Sequence, residues 1–214
     1  ETRSSWYNAT PFYQSSYYWS NATVKAAEDL HFYFPGDHWL GHNGMSHPWP
    51  VDEGIDRSWY INSKDIGSSS CHIFGSIDNF YVSYYQDEDF GSGHWSDIYG
   101  TPGKKIFLWS QARDGAIWEN LLTDTNGQYV EVQAGRMFNQ NSFSSSRTPF
   151  KQTDFTPYYS DSWTERWFPV RGTDGVTRVA ESGTIHLKFS ADGMNLLFSP
   201  IREINEKMTV TVNG

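Results

Sequence analysis

The sequence predicts an all-β fold, a sandwich or barrel of antiparallel strands, and three observations support this prediction. Short segments rich in aromatic and β-branched side chains recur along the 214 residues. Turns rich in glycine, asparagine and serine separate them. Windows with the periodicity of an amphipathic helix are few. The length allows one large β domain, and we expect residues 1–214 to form a single sandwich domain.

The individual elements follow from these patterns. The strands are predicted at 30–34, 77–85, 105–109, 128–134, 163–170, 184–190, 194–199 and 208–212. Ala191-Asp192-Gly193 predicts a hairpin between the sixth and seventh strands. A short helix is expected at 23–30, and 139–148 is expected to be a surface loop. Residues 36–56 hold four glycines, three histidines and two prolines, which indicates a long loop of the kind that often carries function.

Composition excludes some classes of function. The net charge of −9 repels polyphosphate, so we expect no nucleic-acid partner. Cys71 is the only cysteine, which rules out an intramolecular disulfide. No run is long enough to span a membrane, and we expect an extracellular or periplasmic location. The 10 Trp and 13 Tyr suit contact with the C–H faces of sugars, although such rings also fill sandwich cores.

The strand at 128–134 is the most informative for function. It follows an Asn-Gly turn signal and alternates, so that one face is apolar and the other carries Tyr129, Glu131 and Gln133. A phenol, a carboxylate and an amide on one face suit a neutral polyol. The alternative is an ordinary half-exposed strand face.

A second carboxylate, Glu165, shares a strand face with Trp163 and Trp167. A carboxylate between two indoles resembles the wall of a sugar site, and burial there would raise its pKa as a general acid requires. Two carboxylates on neighbouring strands would suit glycoside hydrolysis. The alternative is that Glu165 pairs with Arg136 or Arg166.

The histidines and acidic clusters do not predict a metal site. His38 and His42 have the spacing of zinc ligands on a helix, but the glycines and prolines around them disfavour a helix. Residues 87–89 with Asp97 do not match an EF-hand loop. His94 follows a flexible Gly-Ser-Gly segment and could supply a proton near neutral pH. No metal and no cofactor are expected.

Several segments resemble the galactose mutarotases (aldose 1-epimerases). Residues 128–135 resemble the Leu-Glu-Thr-Gln strand of that family, and 157–168 occupy the place of its final Pro-Gly-Glu and Tyr-x-Phe strand. Residues 17–21 resemble its aromatic-Asn segment. The pattern is closer to a bacterial branch of the mutarotase-like superfamily, a domain of unknown function, through 18–21, 103–109, 122–135 and 163–170. The resemblance spans roughly residues 11–214.

This resemblance implies a β-supersandwich of large antiparallel sheets, galactose mutarotase-like, with a sugar on its concave face. It also implies that Glu131 is the base that takes the proton of the anomeric hydroxyl. The early histidine of the family corresponds to Tyr17, and His94 or His72 is the only loose match for the second. Because mutarotase-like domains are longer, the chain is expected to begin inside its domain and to be completed by an N-terminal segment or other domains.

The sequence therefore predicts a carbohydrate-active domain that cleaves a glycosidic bond or epimerises a sugar, with Glu131, Glu165 and His94 as catalytic residues. The alternatives are a non-catalytic carbohydrate-binding module or a structural β domain. The expected partner is a carbohydrate ligand. The predicted sugar-binding side chains are Trp19, Asn21, Trp118, Tyr129, Gln133, Arg136, Trp163 and Trp167.

Overall fold

Strands dominate the computed structural model, which describes residues 1–67, 69–140, 153–205 and 207–211. In chain order the strands are β1 (Thr2–Tyr7), β2 (Gln14–Ser16), β3 (Trp19–Lys25), β4 (Leu30–Tyr33), β5 (His38–Leu40), β6 (Ser46–Pro48), β7 (Val51–Asp52), β8 (Ile55–Asp56), β9 (Ser70–Phe74), β10 (Phe80–Tyr85), β11 (Phe90–Ser96), β12 (Gly103–Phe107), β13 (Tyr129–Gly135), β14 (Thr153–Phe155), β15 (Ser160–Arg171), β16 (Arg178–Ala180), β17 (Gly183–Ser190) and β18 (Gly193–Pro200). One α-helix, α1 (Ile117–Leu122), and three 3₁₀ turns (Tyr60–Ser63, Trp109–Gln111 and Asp114–Ala116) complete the described elements. Within these residues, no helix has the length and apolar character needed to cross a membrane.

Two large antiparallel sheets form the body of the fold. One has six strands in the order β3-β13-β12-β9-β5-β6, and the other has five in the order β1-β15-β11-β10-β4. The main core lies between them, because alternate side chains of both sheets point inward. Its buried members are Val24, Leu30, Phe32, Phe34, Trp39, Trp49, Cys71, Ile73, Tyr81, Ile106, Leu108, Val130, Val132 and Ala134.

The five-stranded sheet carries a second buried cluster on its other face, around β10 and the end of β15. Its second face carries Phe80, Val82 and Tyr84 from β10, which pack with Phe168 and Val170 of β15. The three-stranded sheet β16-β17-β18 lies beside this second core and contributes Val179, while Val176 precedes β16. A sheet with two buried faces has apolar side chains at nearly every position rather than at every second one. The six-stranded sheet, in contrast, has an outer face that is largely polar.

The predicted strands are confirmed with small shifts at their ends, except at 208–212. The described part of that segment, 208–211, has no regular structure. The two-residue turn Ala191-Asp192 joins β17 to β18 as predicted, with Ser190 opposite Gly193. The expected surface loop at 139–148 lies almost entirely outside the described residues. The all-β sandwich prediction is confirmed.

Two expectations about local structure were wrong. Residues 23–30 do not form a helix, because β3 continues to Lys25 and pairs with β13, which buries Val24 in the core. Residues 36–56 are not one long loop, because they contain four short strands, β5 to β8. β5 pairs with β9 and so extends the six-stranded sheet toward its edge. The α-helix α1, the only one among the described residues, was not predicted.

Candidate functional site

The outer face of the six-stranded sheet carries five of the eleven residues that the sequence predicts to be catalytic or sugar-binding. We define this outer face by the residues that alternate with core positions on its first four strands. In the sheet, Gln133 lies opposite Asn21 and Lys105, and Glu131 lies opposite Phe107. Apart from glycines, its members are Trp19, Asn21, Thr23, Lys25, Ser70, His72, Phe74, Lys105, Phe107, Tyr129, Glu131 and Gln133.

Glu131 occupies the centre of β13 and is half-buried. Its Oε2 atom accepts hydrogen bonds from Asn21 Nδ2 and Gln133 Nε2, both at 2.7 Å. The Tyr129 hydroxyl lies 3.5 Å from Oε1. Two amide donors on one carboxylate oxygen fix the orientation of the group and leave the other oxygen with a single long contact. This arrangement is suited to accepting a proton or a hydroxyl hydrogen bond from a bound molecule.

Aromatic rings stand on both sides of Glu131. Trp19 lies against β12 and β13 at two glycines, because a Cβ at Gly135 would lie 2.6 Å from the indole and one at Gly103 would lie 2.7 Å from it. On the other side, Phe107 contacts Trp109 with ring centroids 5.3 Å apart, and Trp109 contacts Trp118 at 6.1 Å. Along the face, Glu131 therefore lies between Trp19, four positions away at Gly135, and the ring pair Trp109 and Trp118, with Phe107 directly opposite it.

Lys105 adds a cationic group beside Glu131, and the sequence patterns did not predict it. Its Nζ lies 4.3 Å from the centroid of the Trp19 ring and donates a hydrogen bond to Gln140 Oε1. The residue is only 3% exposed, and burial lowers the pKa of Lys105 to about 7, against the opposing effect of the Glu131 carboxylate. A lysine with such a pKa can donate or accept a proton near neutral pH.

Two histidines continue the polar surface next to Lys105. His72 is buried, its Nδ1 lies 3.0 Å from the Leu40 carbonyl oxygen, and its Nε2 accepts the backbone N–H of Gln140 at 2.9 Å. Burial lowers the pKa of His72 to about 3, so the ring is neutral and carries its proton on Nδ1. His42 bonds to the Ser70 hydroxyl at 2.8 Å, and burial lowers its pKa as well.

Glu165 and His94 are not on this face. They lie in the interior between the two sheets, with His94 Nε2 3.0 Å from Glu165 Oε1 and both residues 1% exposed. The carboxylate also accepts hydrogen bonds from Tyr18 at 3.0 Å, Ser20 at 2.5 Å and Trp163 Nε1 at 3.1 Å. Burial acts to raise the pKa of Glu165, but the donors outweigh it and hold the pKa below its usual range.

The remaining predicted residues occupy structural positions away from Glu131. Trp163 is buried beside Glu165, and Trp167 packs its half-buried ring against His94 at 4.7 Å. Arg136 forms a bidentate pair with Asp161, at 2.7 and 2.9 Å, and its guanidinium lies 4.9 Å above the Trp163 ring. Neither Arg136 nor Arg166 pairs with Glu165. Within the described segments, no three His, Cys, Asp or Glu residues converge in a way that could hold a metal ion.

The structure thus brings together Trp19, Asn21, Tyr129, Glu131 and Gln133, with Trp118 at the margin. Sequence reasoning missed Lys105 and Phe107 as members of this face, and it named His72 only as a loose match for the second histidine of the mutarotase family. One signal could have revealed Lys105, because a lysine inside a segment predicted as a strand next to buried positions needs a polar partner. The histidines gave no comparable signal, since their partners come from distant strands.

Asn8-Ala9-Thr10 and Asn21-Ala22-Thr23 both match the acceptor pattern for N-linked glycosylation, Asn-x-Ser/Thr, but the two asparagines have different environments. Asn8 is 4% exposed and its amide donates to the carbonyls of Phe12 and Phe155, so a glycan could not be attached without unfolding this region. Asn21 is exposed on the outer face and binds Glu131. Its side chain is therefore part of the candidate site.

Comparisons with known proteins identify one family and two similar structures. The profile of a domain of unknown function, DUF5107, matches residues 1–170. A TPR-domain containing protein from Parabacteroides distasonis ATCC 8503 has a similar structure, with a TM-score of 0.63 and 23% sequence identity over 88% of this chain and 29% of that one. Slr1438 from Synechocystis sp. PCC 6803 is similar with a TM-score of 0.52 and 8% identity, over 79% of this chain and 50% of that one. The chain thus spans half or less of the length of each protein. At these sequence identities the similarity shows a shared fold.

Proposed function

Since the chain belongs to the DUF5107 family, whose activity its description leaves open, we propose a function from the outer face itself: it binds a neutral sugar and uses Glu131 as a base at the anomeric centre. The observation that carries this proposal is the half-buried Glu131 carboxylate, which two amide donors orient at 2.7 Å, with the Phe107 ring opposite it on β12. Sugars combine C–H faces that pack on rings with hydroxyls that bind carboxylates and amides.

We also propose that the two large sheets form a supersandwich of the galactose mutarotase-like type. The sequence resemblance at 128–135 supports this, because it aligns the base of that family with Glu131. The position of Glu131 at the centre of the polar outer face, with the apolar side of β13 in the core, is compatible with it. In epimerisation a proton would leave the anomeric hydroxyl and another would reach the ring oxygen as the bond between C1 and the ring oxygen breaks; in glycoside cleavage the base would deprotonate the attacking water and the acid would protonate the leaving glycosidic oxygen.

The proton donor that such a reaction needs is proposed to be Lys105 rather than His94. Lys105 shares the outer face with Glu131, whereas His94 is enclosed with Glu165 between the sheets. In this mechanism Glu131 Oε1 takes the proton of the anomeric hydroxyl and the Lys105 ammonium gives a proton to the ring oxygen. Asn21 and Gln133 keep the carboxylate in position during the transfer.

Replacing Glu131 with glutamine is expected to lower kcat/KM by about 100-fold or more on any aldose or oligosaccharide that the wild-type protein converts, because the base is lost while the shape is retained. Mutarotation of a panel of aldoses can be followed by polarimetry, and hydrolysis of oligosaccharides by product analysis. Glu88→Gln, an exposed change on the opposite sheet, is the matched control. Full turnover by Glu131→Gln would remove Glu131 from the mechanism.

The pH profile tests the role of Lys105. Because the pKa of Lys105 is lowered to about 7, the fraction of protonated donor falls as the pH rises through that value, and kcat should decline on the alkaline side. Lys105→Met should abolish most of the turnover at every pH and leave no alkaline decline in the residual rate. A residual rate that still declines with the wild-type midpoint would show that another group titrates.

A second candidate function, sugar binding without turnover, is favoured by one observation. Lys105 and Gln133, two polar residues of the outer face, are only 3% and 6% exposed. Much of the polar surface is therefore enclosed, and such a surface can bind a sugar without converting it. Titration calorimetry separates the two candidates. Saturable binding by wild type with no product formed, retained in Glu131→Gln, would favour the binding module.

A further inference from the structure

A set of exposed aromatic rings lies at one end of the sandwich, outside the site described above. The rings belong to the segment 7–17, between β1 and β3, and to residues 158 and 159, just before β15. We call them the aromatic patch. Its members are between 49% and 69% exposed and are Tyr7, Phe12, Tyr13, Tyr17, Tyr158 and Tyr159.

The backbone beneath the aromatic patch is held in place by Asn8. The Asn8 side-chain amide donates to the carbonyls of Phe12, Phe155 and Thr156 at 2.7 to 3.1 Å, and its carbonyl accepts from Thr10. The Asn8 N–H donates to the Tyr159 carbonyl at 3.0 Å. One buried side chain therefore fastens both loops to each other, and the pairing of β2 with β14 adds a second link. The rings are displayed on a fixed framework, which reduces the entropy lost on binding.

The segments that carry the aromatic patch lack charged and large aliphatic side chains. The segment from residue 4 to residue 23 contains no charged residue and no leucine, isoleucine, valine or methionine, in a chain that is 19% charged. Residues 155–160 share both properties. Phenols, hydroxyls and amides without charge or branched aliphatic groups match a neutral ligand that has both C–H faces and hydroxyls. A partner with ionised groups would find no counter-charge among these residues.

The aromatic patch is continuous with the outer face. Tyr17 and Trp19 alternate with the inward-pointing Tyr18, so Tyr17 extends the row that Trp19 and Asn21 form on the outer face. Underneath, Trp6 contacts Tyr18 at 5.6 Å and Phe155 at 6.4 Å, and Phe155 contacts Tyr159 at 5.7 Å. A layer of packed rings thus links the two surfaces. A ligand that occupies the outer face and is longer than one sugar would extend over Tyr17 onto the patch.

We propose that the aromatic patch binds additional sugar units of a neutral oligosaccharide whose end unit occupies the outer face. This inference rests on the proposed function and specifies its ligand class, an extended uncharged glycan rather than a free monosaccharide. Each exposed ring offers a stacking surface for one sugar unit. The patch contributes affinity and selects for length, while Glu131 acts only on the terminal unit.

The test compares ligands of different length. Wild-type protein is first applied to an array of neutral gluco-, galacto-, manno-, xylo- and arabino-oligosaccharides of one to six units. Titration calorimetry then compares the best hexasaccharide with its disaccharide. We expect the hexasaccharide to bind about tenfold more tightly or better, and Phe12→Ala/Tyr13→Ala to reduce its affinity to that of the disaccharide without changing disaccharide binding. Tyr99→Ala, which removes an equally exposed ring elsewhere, should have no effect.

Each other outcome has a defined meaning. Equal affinities for both lengths, unchanged in Phe12→Ala/Tyr13→Ala, would overturn the role of the patch while leaving the proposed function intact. Hexasaccharide binding that needs the patch but not Glu131 or Trp19 would leave a glycan site and overturn both its continuity with the outer face and the proposed function. Failure of the wild type to retain any glycan would overturn both proposals. A wild-type dimer in sedimentation velocity that Phe12→Ala/Tyr13→Ala dissociates would show that the patch binds a second copy instead.

Discussion

Replacing Glu165 with alanine is expected to lower the free energy of unfolding by about 3–5 kcal/mol, the largest effect of any single substitution considered for this protein. Glu165 is 1% exposed and accepts hydrogen bonds from Tyr18, Ser20, His94 and Trp163. Removing the carboxylate leaves these donors in an apolar interior without an acceptor, and each unsatisfied donor carries a desolvation cost. The substitution also leaves a cavity between the sheets.

Urea unfolding at pH 7.5 measures this effect, with Glu88→Ala as an exposed control that should change stability little. Glu165→Gln should also destabilise the protein, because the amide N–H₂ group would face hydrogen-bond donors that now bind a carboxylate oxygen. The double variant His94→Leu/Glu165→Leu should recover part of the loss, since leucine fills part of the cavity and the unpaired His94 donor is removed. Near-wild-type stability of Glu165→Ala would show that the interior network contributes little.

Acid is expected to destabilise the protein well before its carboxylates are titrated, because buried neutral histidines cannot take up protons. The folded-state pKa of His72 is about 3, whereas an unfolded histidine has a pKa of about 6.5. Between these values the unfolded chain binds a proton that the folded chain does not bind, so stability falls as the pH drops below about 6.5. For His72 alone the loss reaches about 3 kcal/mol at pH 4.

The geometry explains why His72 resists protonation. Its Nε2 already accepts the Gln140 N–H at 2.9 Å, so a proton there would face another donor. His31 acts in the same direction, because burial lowers its pKa to about 4, and burial also lowers the pKa of His94. The lowered pKa of Glu165 adds a loss at still lower pH. All of these groups lower the stability of the folded protein in acid, so together they should make the free energy of unfolding fall steeply as the pH decreases.

Urea unfolding at pH 7.5, 5.5 and 4.0 checks this expectation. His72→Gln can keep both hydrogen bonds but cannot titrate, so it should be less stable than wild type at pH 7.5 and should lose about 3 kcal/mol less between pH 7.5 and 4.0. His38→Gln, which changes an exposed histidine, should leave the dependence of the free energy of unfolding on pH as it is in wild type. If the stability of His72→Gln fell as steeply between pH 7.5 and 4.0 as that of wild type, groups other than His72 would determine the acid sensitivity.

The sequence by itself determined where the strands lie and which side chains share a face. The alternation at 128–134 placed Tyr129, Glu131 and Gln133 together, and the structure keeps them together. The alternation at 163–170 likewise grouped Trp163, Glu165 and Trp167 correctly. The turn at Ala191-Asp192 was readable because two adjacent strands need only a short connection with a glycine. These are local properties, fixed by the period of two along a single strand.

Only the tertiary structure decided which of the grouped faces points into the interior between the two large sheets. The apolar side of β13 faces that interior, so Glu131 lies on the outer face, whereas the side of β15 that carries Trp163, Glu165 and Trp167 faces the interior, so Glu165 is buried. The neighbours of Glu131 depend on the pairing of β13 with β3 and β12, which brings Asn21 from 110 positions away. No local pattern records such a pairing, because a strand shows the same alternation whichever strand it pairs with and whichever face is covered.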